Sequence, residues 1–191
     1  MIGRTYKSEG IVLKSINYGE ADKIFTIYSK HFGKINLLAK GIRRLTSKKR
    51  GNLEIFSKVF FIAAKGKNLD IINEVKLLDG RMALRNNLVK IGAAYQICEV
   101  LDKLTAEEVE QKEAYDLLDS YLKTVEISEE KTCPQEVKNF CLELVRILGF
   151  LPKNKPVASN FNIFSFIENI TEKELKVKNF FSKVFLNDLP F

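Results

Sequence analysis

A single histidine, His31, and three cysteines, Cys98, Cys133 and Cys141, are all that this 191-residue sequence offers for imidazole or thiol chemistry. Covalent catalysis needs a nucleophile within reach of a base that activates it. His31 stands beside a turn in a basic stretch, while Cys98 and Cys141 fall on apolar stripes of helical period, so none reads as half of such a pair. The cysteines are odd in number and widely spaced, with no Cys-x-x-Cys, which fits ordinary thiols in a reducing compartment. Asp70, Glu74 and Asp79 are the remaining candidates for a metal-assisted reaction. Acids at strand ends more commonly protect an edge or cap a helix, and that is their expected role here. No Gly-x-x-x-x-Gly-Lys-Ser/Thr loop is present for a nucleotide phosphate. The expectation is a protein that is not an enzyme and needs no cofactor.

Binding chemistry is far better supplied. Lys and Arg number 31 against 24 Asp and Glu, a net charge of +7. Residues 1–80 carry 16 basic and 7 acidic side chains, net +9, and residues 81–191 carry 15 and 17, net −2. From Lys23 to Leu53 there is no acid at all. Nine cations fall there: Lys23, Lys30, Lys34, Lys40, Arg43, Arg44, Lys48, Lys49 and Arg50. A cationic segment of this kind follows a phosphate backbone without reading base sequence, and its grip weakens steeply with salt. Lys40 to Arg50 lie between Gly41 and Gly51 or next to them, as a flexible basic loop between strands. Among the rings near this run, Tyr18 and Tyr28 are the better candidates to stack on bases, since their hydroxyls tolerate water, while Phe25 alternates inward to fill a core.

The elements that must hold these side chains change texture near residue 80. Before it, short β-rich runs (Gly10–Ile16, Lys23–Tyr28, Lys34–Lys40, Leu53–Ala64 and Leu69–Leu78) alternate with turn residues such as Asn17-Tyr18-Gly19-Glu20 and Lys65-Gly66-Lys67-Asn68. Five strands in about 80 residues suit a Greek-key barrel of the OB type. After it the period becomes helical. Leu84, Leu88, Ile91, Tyr95, Cys98 and Leu101 form one apolar stripe. Thr105-Ala106-Glu107-Glu108 reads as a capping box opening a helix with Tyr115, Leu118 and Leu122 inward. Pro134 starts another with Val137, Phe140, Cys141, Leu144, Val145 and Leu148 buried, ended by Gly149 and Pro152. Residues 152–162 read as loop, and Thr171-Glu172-Lys173-Glu174 as a second capping box before a helix bearing Val177, Phe181 and Val184. The organisation predicted is α+β, a five-stranded OB-fold barrel over 1–80 followed by a helical domain over 81–191.

The ordered motifs resemble the bacterial RecO family of recombinational DNA-repair proteins. Gly10-Ile11-Val12-Leu13-Lys14 is similar to that family's first strand. Tyr18-Gly19-Glu20 and Asp22-Lys23-Ile24 are similar to its following loop and second strand. Gly33-Lys34-Ile35, Ala39-Lys40-Gly41, Arg43-Arg44 and Ser47 are similar to its third strand and basic loop. Leu53-Glu54, Phe56, Leu69 and Glu74 continue the pattern, and a looser likeness runs to Leu148-Gly149-Phe150-Leu151-Pro152. The resemblance implies binding to single- and double-stranded DNA and annealing of complementary strands. It also implies partnership with RecR and with the acidic C-terminal tail of single-stranded-DNA-binding protein, and help in loading RecA. The DNA-binding residues expected are Lys14, Lys23, Lys34, Lys40, Arg43, Arg44, Lys48, Lys49, Arg50, Tyr18 and Tyr28.

One departure concerns zinc. Many members of the family carry four cysteines after the Leu-Gly-x-x-Pro segment, whereas Lys153 to Asn160 contain neither Cys nor His, and the chain is short for the family. Structural zinc takes about four such ligands, so no zinc is expected, and packing must hold the helices. Phe161, Phe164, Phe166, Phe180, Phe181, Phe185 and Phe191 are available for it, or for an exposed docking patch. Two other readings stay open: a protein-interaction adaptor with secondary nucleic-acid binding, and an RNA-binding OB protein. With no apolar run long enough to span a bilayer and no secretory leader, the expected location is the bacterial cytoplasm, at the nucleoid, with no membrane partner.

Overall fold

The computed structural model describes residues 5–47, 49, 51–153, 156–158, 161–176, 180–181 and 184. Lys48, Arg50, Val177, Phe185 and Phe191 lie outside the described residues. The chain forms two compact units, Met1–Arg81 with Ala106–Tyr115, and Met82–Thr105 with the chain from Asp116 onward.

The first unit is a closed barrel of β1 (Thr5–Tyr18), β2 (Asp22–Ser29), β3 (Gly33–Ala39), β4 (Lys58–Ala64) and β5 (Asp70–Asp79). Its strand order is β1-β2-β3-β5-β4, with β3 and β5 paired in parallel and the other neighbours antiparallel. This is the OB-fold topology, and closure removes the free edges that an open sheet would leave. Alternation sends Val12, Phe25, Ile27, Ile35, Leu37, Val59, Phe61, Ala63 and Ile72 into the core. A bulge between Val12 and Lys14 shifts the register of β1 against β2, so that Lys14, Ile16 and Tyr18 all face outward.

At one corner of the barrel Asp70 is held by three donors. The Tyr6 hydroxyl lies at 2.7 Å, the Lys65 ammonium at 2.9 Å and the Gly66 N–H at 3.1 Å. Burial pushes this carboxyl up, but the three donors outweigh burial and hold it below its ordinary range. A carboxyl depressed in the folded state contributes stability above its unfolded value near 4 and loses it as pH falls through the folded value. Asp70→Asn should therefore be less stable than the parent at pH 7, with the gap narrowing as pH falls below about 4, as read from urea midpoints across that range. A constant gap at all pH values would contradict this account of the corner.

The second unit contains α1 (Met82–Arg85), α2 (Leu88–Leu104), the part of α3 (Lys112–Ile127) from Asp116, a 3-10 turn (Glu130–Thr132), α4 (Cys133–Ile147) and α5 (Ile163–Thr171). The expected apolar stripe on α2 is only partly inward. Leu88 is 65% exposed and Tyr95 41%, while Val89, Gly92, Ala93, Ala94, Gln96, Ile97, Cys98, Val100 and Leu101 are buried. With α1, α4 and α5 around it, α2 is a central helix enclosed on most sides, and a one-sided pattern does not describe it. On α4 the buried row Val137, Phe140, Cys141, Leu144 and Val145 is as expected, with Pro134 in the first turn. Gly149, at φ +83, turns the chain so that Phe150 N–H reaches the Val145 carbonyl at 2.9 Å.

Both expected capping boxes are corrected. Thr105 closes α2, its hydroxyl donating to the Leu101 carbonyl at 2.7 Å, and α3 begins only at Lys112, because Glu107 and Glu108 are bonded to β3 instead. Thr171 ends α5, its hydroxyl donating to the Ile167 carbonyl at 2.7 Å, and Glu172 follows in the left-handed region at φ +52. Helix α5 itself was not expected. Its start is fixed by Asn162, whose side chain accepts the N–H groups of Phe164 and Ser165.

The C-terminal aromatics are accounted for in part by packing. Phe161 pairs with Phe166 at 5.4 Å between ring centres, and Phe180 with Phe181 at 5.5 Å. Phe180 also lies against Gly92, so closely that an added methyl would overlap its ring. Gly92→Ala gains about 1 kcal/mol of helix propensity but overpacks this contact by about 1–3 kcal/mol. We expect net destabilisation, absent when the same change is made in a Phe180→Ala background; a Gly92→Ala protein more stable than the parent would contradict the contact.

Candidate nucleic-acid interface

The basic loop is fastened to the barrel over its first residues. Ile42 and Leu53, near its two ends, are buried in the barrel core. Its first residues are fastened to the β1–β2 turn. Gly41 N–H donates to Asp22 Oδ1 at 2.7 Å, Arg43 N–H to the Ala21 carbonyl at 2.9 Å, and Arg43 Nη1 to the Gly19 carbonyl at 3.3 Å. Tight turns from Arg44 N–H to Gly41 and from Ser47 N–H to Arg44 fold it further. The motif Tyr18-Gly19-Glu20-Ala21-Asp22 and the motif Gly41-Ile42-Arg43-Arg44, separate in sequence, are thereby one structural feature.

Around that feature the outward side chains are exposed. Tyr18 is 53% exposed at the end of β1, and Lys14, Lys40, Arg43 and Arg44 are exposed with it. Lys23 is half-buried and pairs across the ladder with Asn17. Asn17, Lys23, Phe25, Ile42, Arg43 and Leu53 line a shallow notch of about 240 Å³. That is below the roughly 300–1,000 Å³ of pockets that enclose small ligands. Two apolar residues absent from the sequence reading join this surface: Ile16, 58% exposed in the same outward row as Tyr18, and Leu45, 90% exposed beside Arg44. Their signal was available, since Ile16 sits at an outward position of an alternating strand and Leu45 interrupts a run of charge.

Three expected contacts are corrected. Tyr28 is fully buried, with its hydroxyl donating to Gln111 Oε1 at 3.2 Å, so its ring has no face for a base; burial also raises the phenol pKa. Lys34 is buried where residues 107–108 bridge to β3. Lys49 turns back onto the barrel, its ammonium donating to the Ile72 carbonyl, and burial lowers its pKa. Tyr28 and Lys34 are covered by residues 106–111, a segment some seventy or more positions away in sequence.

That segment brings a second, oppositely charged surface to the same unit. Asn36 Nδ2 donates to Glu107 Oε1 at 2.8 Å, Glu108 N–H to the Lys34 carbonyl at 2.9 Å, and His31 lies 3.7 Å from Glu110. A cavity of about 620 Å³ beside it is lined by Tyr6, Phe32, Lys65, Asp70, Glu107, Glu108 and Glu110 among others.

The succession of a closed five-stranded barrel, a basic loop locked to the first turn, and a following helical unit coincides with what comparison with known proteins finds. The family model described as Recombination protein O N terminal matches residues 1–81, and that described as Recombination protein O C terminal matches residues 85–155. The chain belongs to the RecO family. It is similar to the DNA repair protein RecO of Roseiflexus sp. (strain RS-1), 33% identical over 153 residues, which cover 80% of this chain and 53% of that protein. It is also similar to the DNA repair protein RecO of Rubrobacter xylanophilus, 37% identical over 148 residues, 78% of this chain and 59% of that protein. The chain thus spans somewhat over half the length of these curated relatives. Both family segments fall on the two kinds of architecture seen here, the first on the barrel and the second on α2 to α4. Among the described residues, no helix is long and apolar enough to cross a membrane.

Proposed function

We propose that this chain acts in recombinational DNA repair by binding DNA on the outward face of the barrel and annealing complementary strands. The observation that carries the reading is the exposed constellation of Tyr18, Lys14, Lys40, Arg43 and Arg44, pinned in place by the Asp22–Gly41 and Arg43–Ala21 hydrogen bonds. Membership of a family whose relatives are named as DNA repair proteins supports it. Each phosphate met by a fixed cation releases condensed counterion. Tyr18 offers a ring on which a base of any identity can stack, a contact of about 1–3 kcal/mol. Two strands whose charge is partly neutralised on such a surface repel one another less, so pairing is accelerated with no covalent bond made or broken. In this reading the protein is not an enzyme. It works with RecR and with the acidic tail of single-stranded-DNA-binding protein, and helps RecA onto coated single strands.

Fluorescence anisotropy with a labelled single strand, over a salt series, tests the binding step, and quenching of two labelled complementary strands tests annealing. Affinity should fall linearly on a log–log plot against salt, with a slope of about −0.7 per phosphate contacted, and annealing should accelerate at low salt. Binding insensitive to salt would overturn the reading.

A further inference from the structure

The outward face of β1–β2–β3 carries opposite charge at its two ends. Register fixes the rungs: Tyr18 with Asp22, Ile16 with Ile24 and Leu38, Lys14 with Thr26 and Asn36, then Tyr28 with Lys34. The first rungs are flanked by the Arg43–Arg44 loop. The last two are met by residues 106–111, with Glu107 bonded to Asn36, Glu108 N–H to Lys34 and Gln111 to Tyr28. Gly33, at φ +61, lies so close that an added methyl would overlap the Val109 carbonyl, so the segment is seated firmly against the turn before β3.

We propose that Glu107, Glu108 and Glu110 are specificity-determining residues that bound the nucleic-acid track, confining a phosphate backbone to the Tyr18–Arg43 end of the face. This rests on the binding reading above. All three carboxylates are on exposed residues; Glu107 stands at the Asn36 rung, which is also the rung of Lys14, while Glu108 lies at the next rung, Lys34, and Glu110 beside His31 in the β2–β3 turn. Adjacent strands lie about 4.8 Å apart, so Lys14 on β1 is two strands, about 10 Å, from Asn36 on β3. That is roughly the Debye length at 0.1 M salt, so a backbone crossing this rung feels the acids at low salt and is screened from them at high salt. Lys34, a cation past the boundary, is covered by the same segment.

The test compares full chains by anisotropy with a labelled oligothymidine. Glu107→Gln/Glu108→Gln/Glu110→Gln removes the charge and leaves an amide oxygen at position 107 to accept from Asn36. It should bind about 3- to 10-fold more tightly at 0.05 M salt, with the gain vanishing near 0.5 M as screening shortens. A control with the same change in net charge on the helical unit, Glu129→Gln/Glu136→Gln/Glu172→Gln, should stay within about 2-fold of the parent. Glu108→Gln/Glu110→Gln, which keeps the Glu107–Asn36 bond intact, should show part of the gain. Equal affinity of parent and triple variant, or equal tightening by the control, would overturn the boundary while leaving DNA binding standing. A parent chain that fails to bind would overturn the underlying reading as well, and is distinguished by its own flat titration.

Discussion

Arg43→Glu/Arg44→Glu is expected to weaken binding of a labelled single strand by on the order of 10²-fold at 0.1 M salt. The magnitude follows from counterion release. At a log–log slope of about 0.7 per single-strand contact, each contact contributes a factor of about 5 between 1 M and 0.1 M salt. Removing two contacts costs about 25-fold, and reversing the charges adds repulsion of about a further 4-fold. The same variant should lose about 1.4 from the salt slope for the contacts alone. The barrel should survive the change, because the main-chain bonds from Gly41 and Arg43 and the burial of Ile42 need neither guanidinium, and only the Arg43 Nη1–Gly19 bond is lost. Binding and salt slope equal to the parent's would show that the loop does not touch nucleic acid.

The largest effect on stability is expected from Phe61→Ala. Phe61 is fully buried on β4, paired with Ser8 on one side and Val75 on the other, with its ring 6.3 Å from that of Tyr6. Emptying such a site removes transfer energy and leaves a cavity, together about 3–5 kcal/mol, a large part of the roughly 5–15 kcal/mol that holds an ordinary domain. A chain of two units need not unfold in one step, so the measurement is hydrogen exchange at the amides of β4. Their opening free energy should fall by about the cavity cost. A fall below about 1 kcal/mol would mean that the barrel core collapses around the gap, and that Phe61 is not its keystone.

The barrel was legible because each strand carries its own signals. Alternating Phe25 and Ile27, the Gly19 and Gly33 turns and the Lys65–Asn68 break are all local, and closure follows from five such strands. The exposure of Arg43, Arg44 and Lys40 in turns, and of Tyr18 at a strand end, was legible for the same reason. Tyr28, Lys34 and Lys49 were not. What covers Tyr28 and Lys34, and draws the half-buried Lys49 back onto the barrel, is a partner distant in sequence, residues 107–111 for the first two and Ile72 on β5 for the third. No periodicity reveals such a cover. The same segment explains the later helix start, since Thr-x-Glu-Glu has the composition of a capping box, yet the Glu107 carboxylate and the Glu108 N–H are committed to the barrel. In the helical unit, the one-sided stripe fails on α2 because that helix is surrounded, and α5 carries a weak signal because its start depends on one side chain, Asn162.

Amide chemical-shift mapping of the full chain with an oligothymidine tests most directly whether the strand lies where the cations converge. The largest perturbations should fall on residues 14–24 and 40–45, with those at Tyr28 and Lys34 small. Perturbations concentrated on α4 and α5, with the amides of Tyr18, Lys23, Arg43 and Arg44 unmoved, would contradict it.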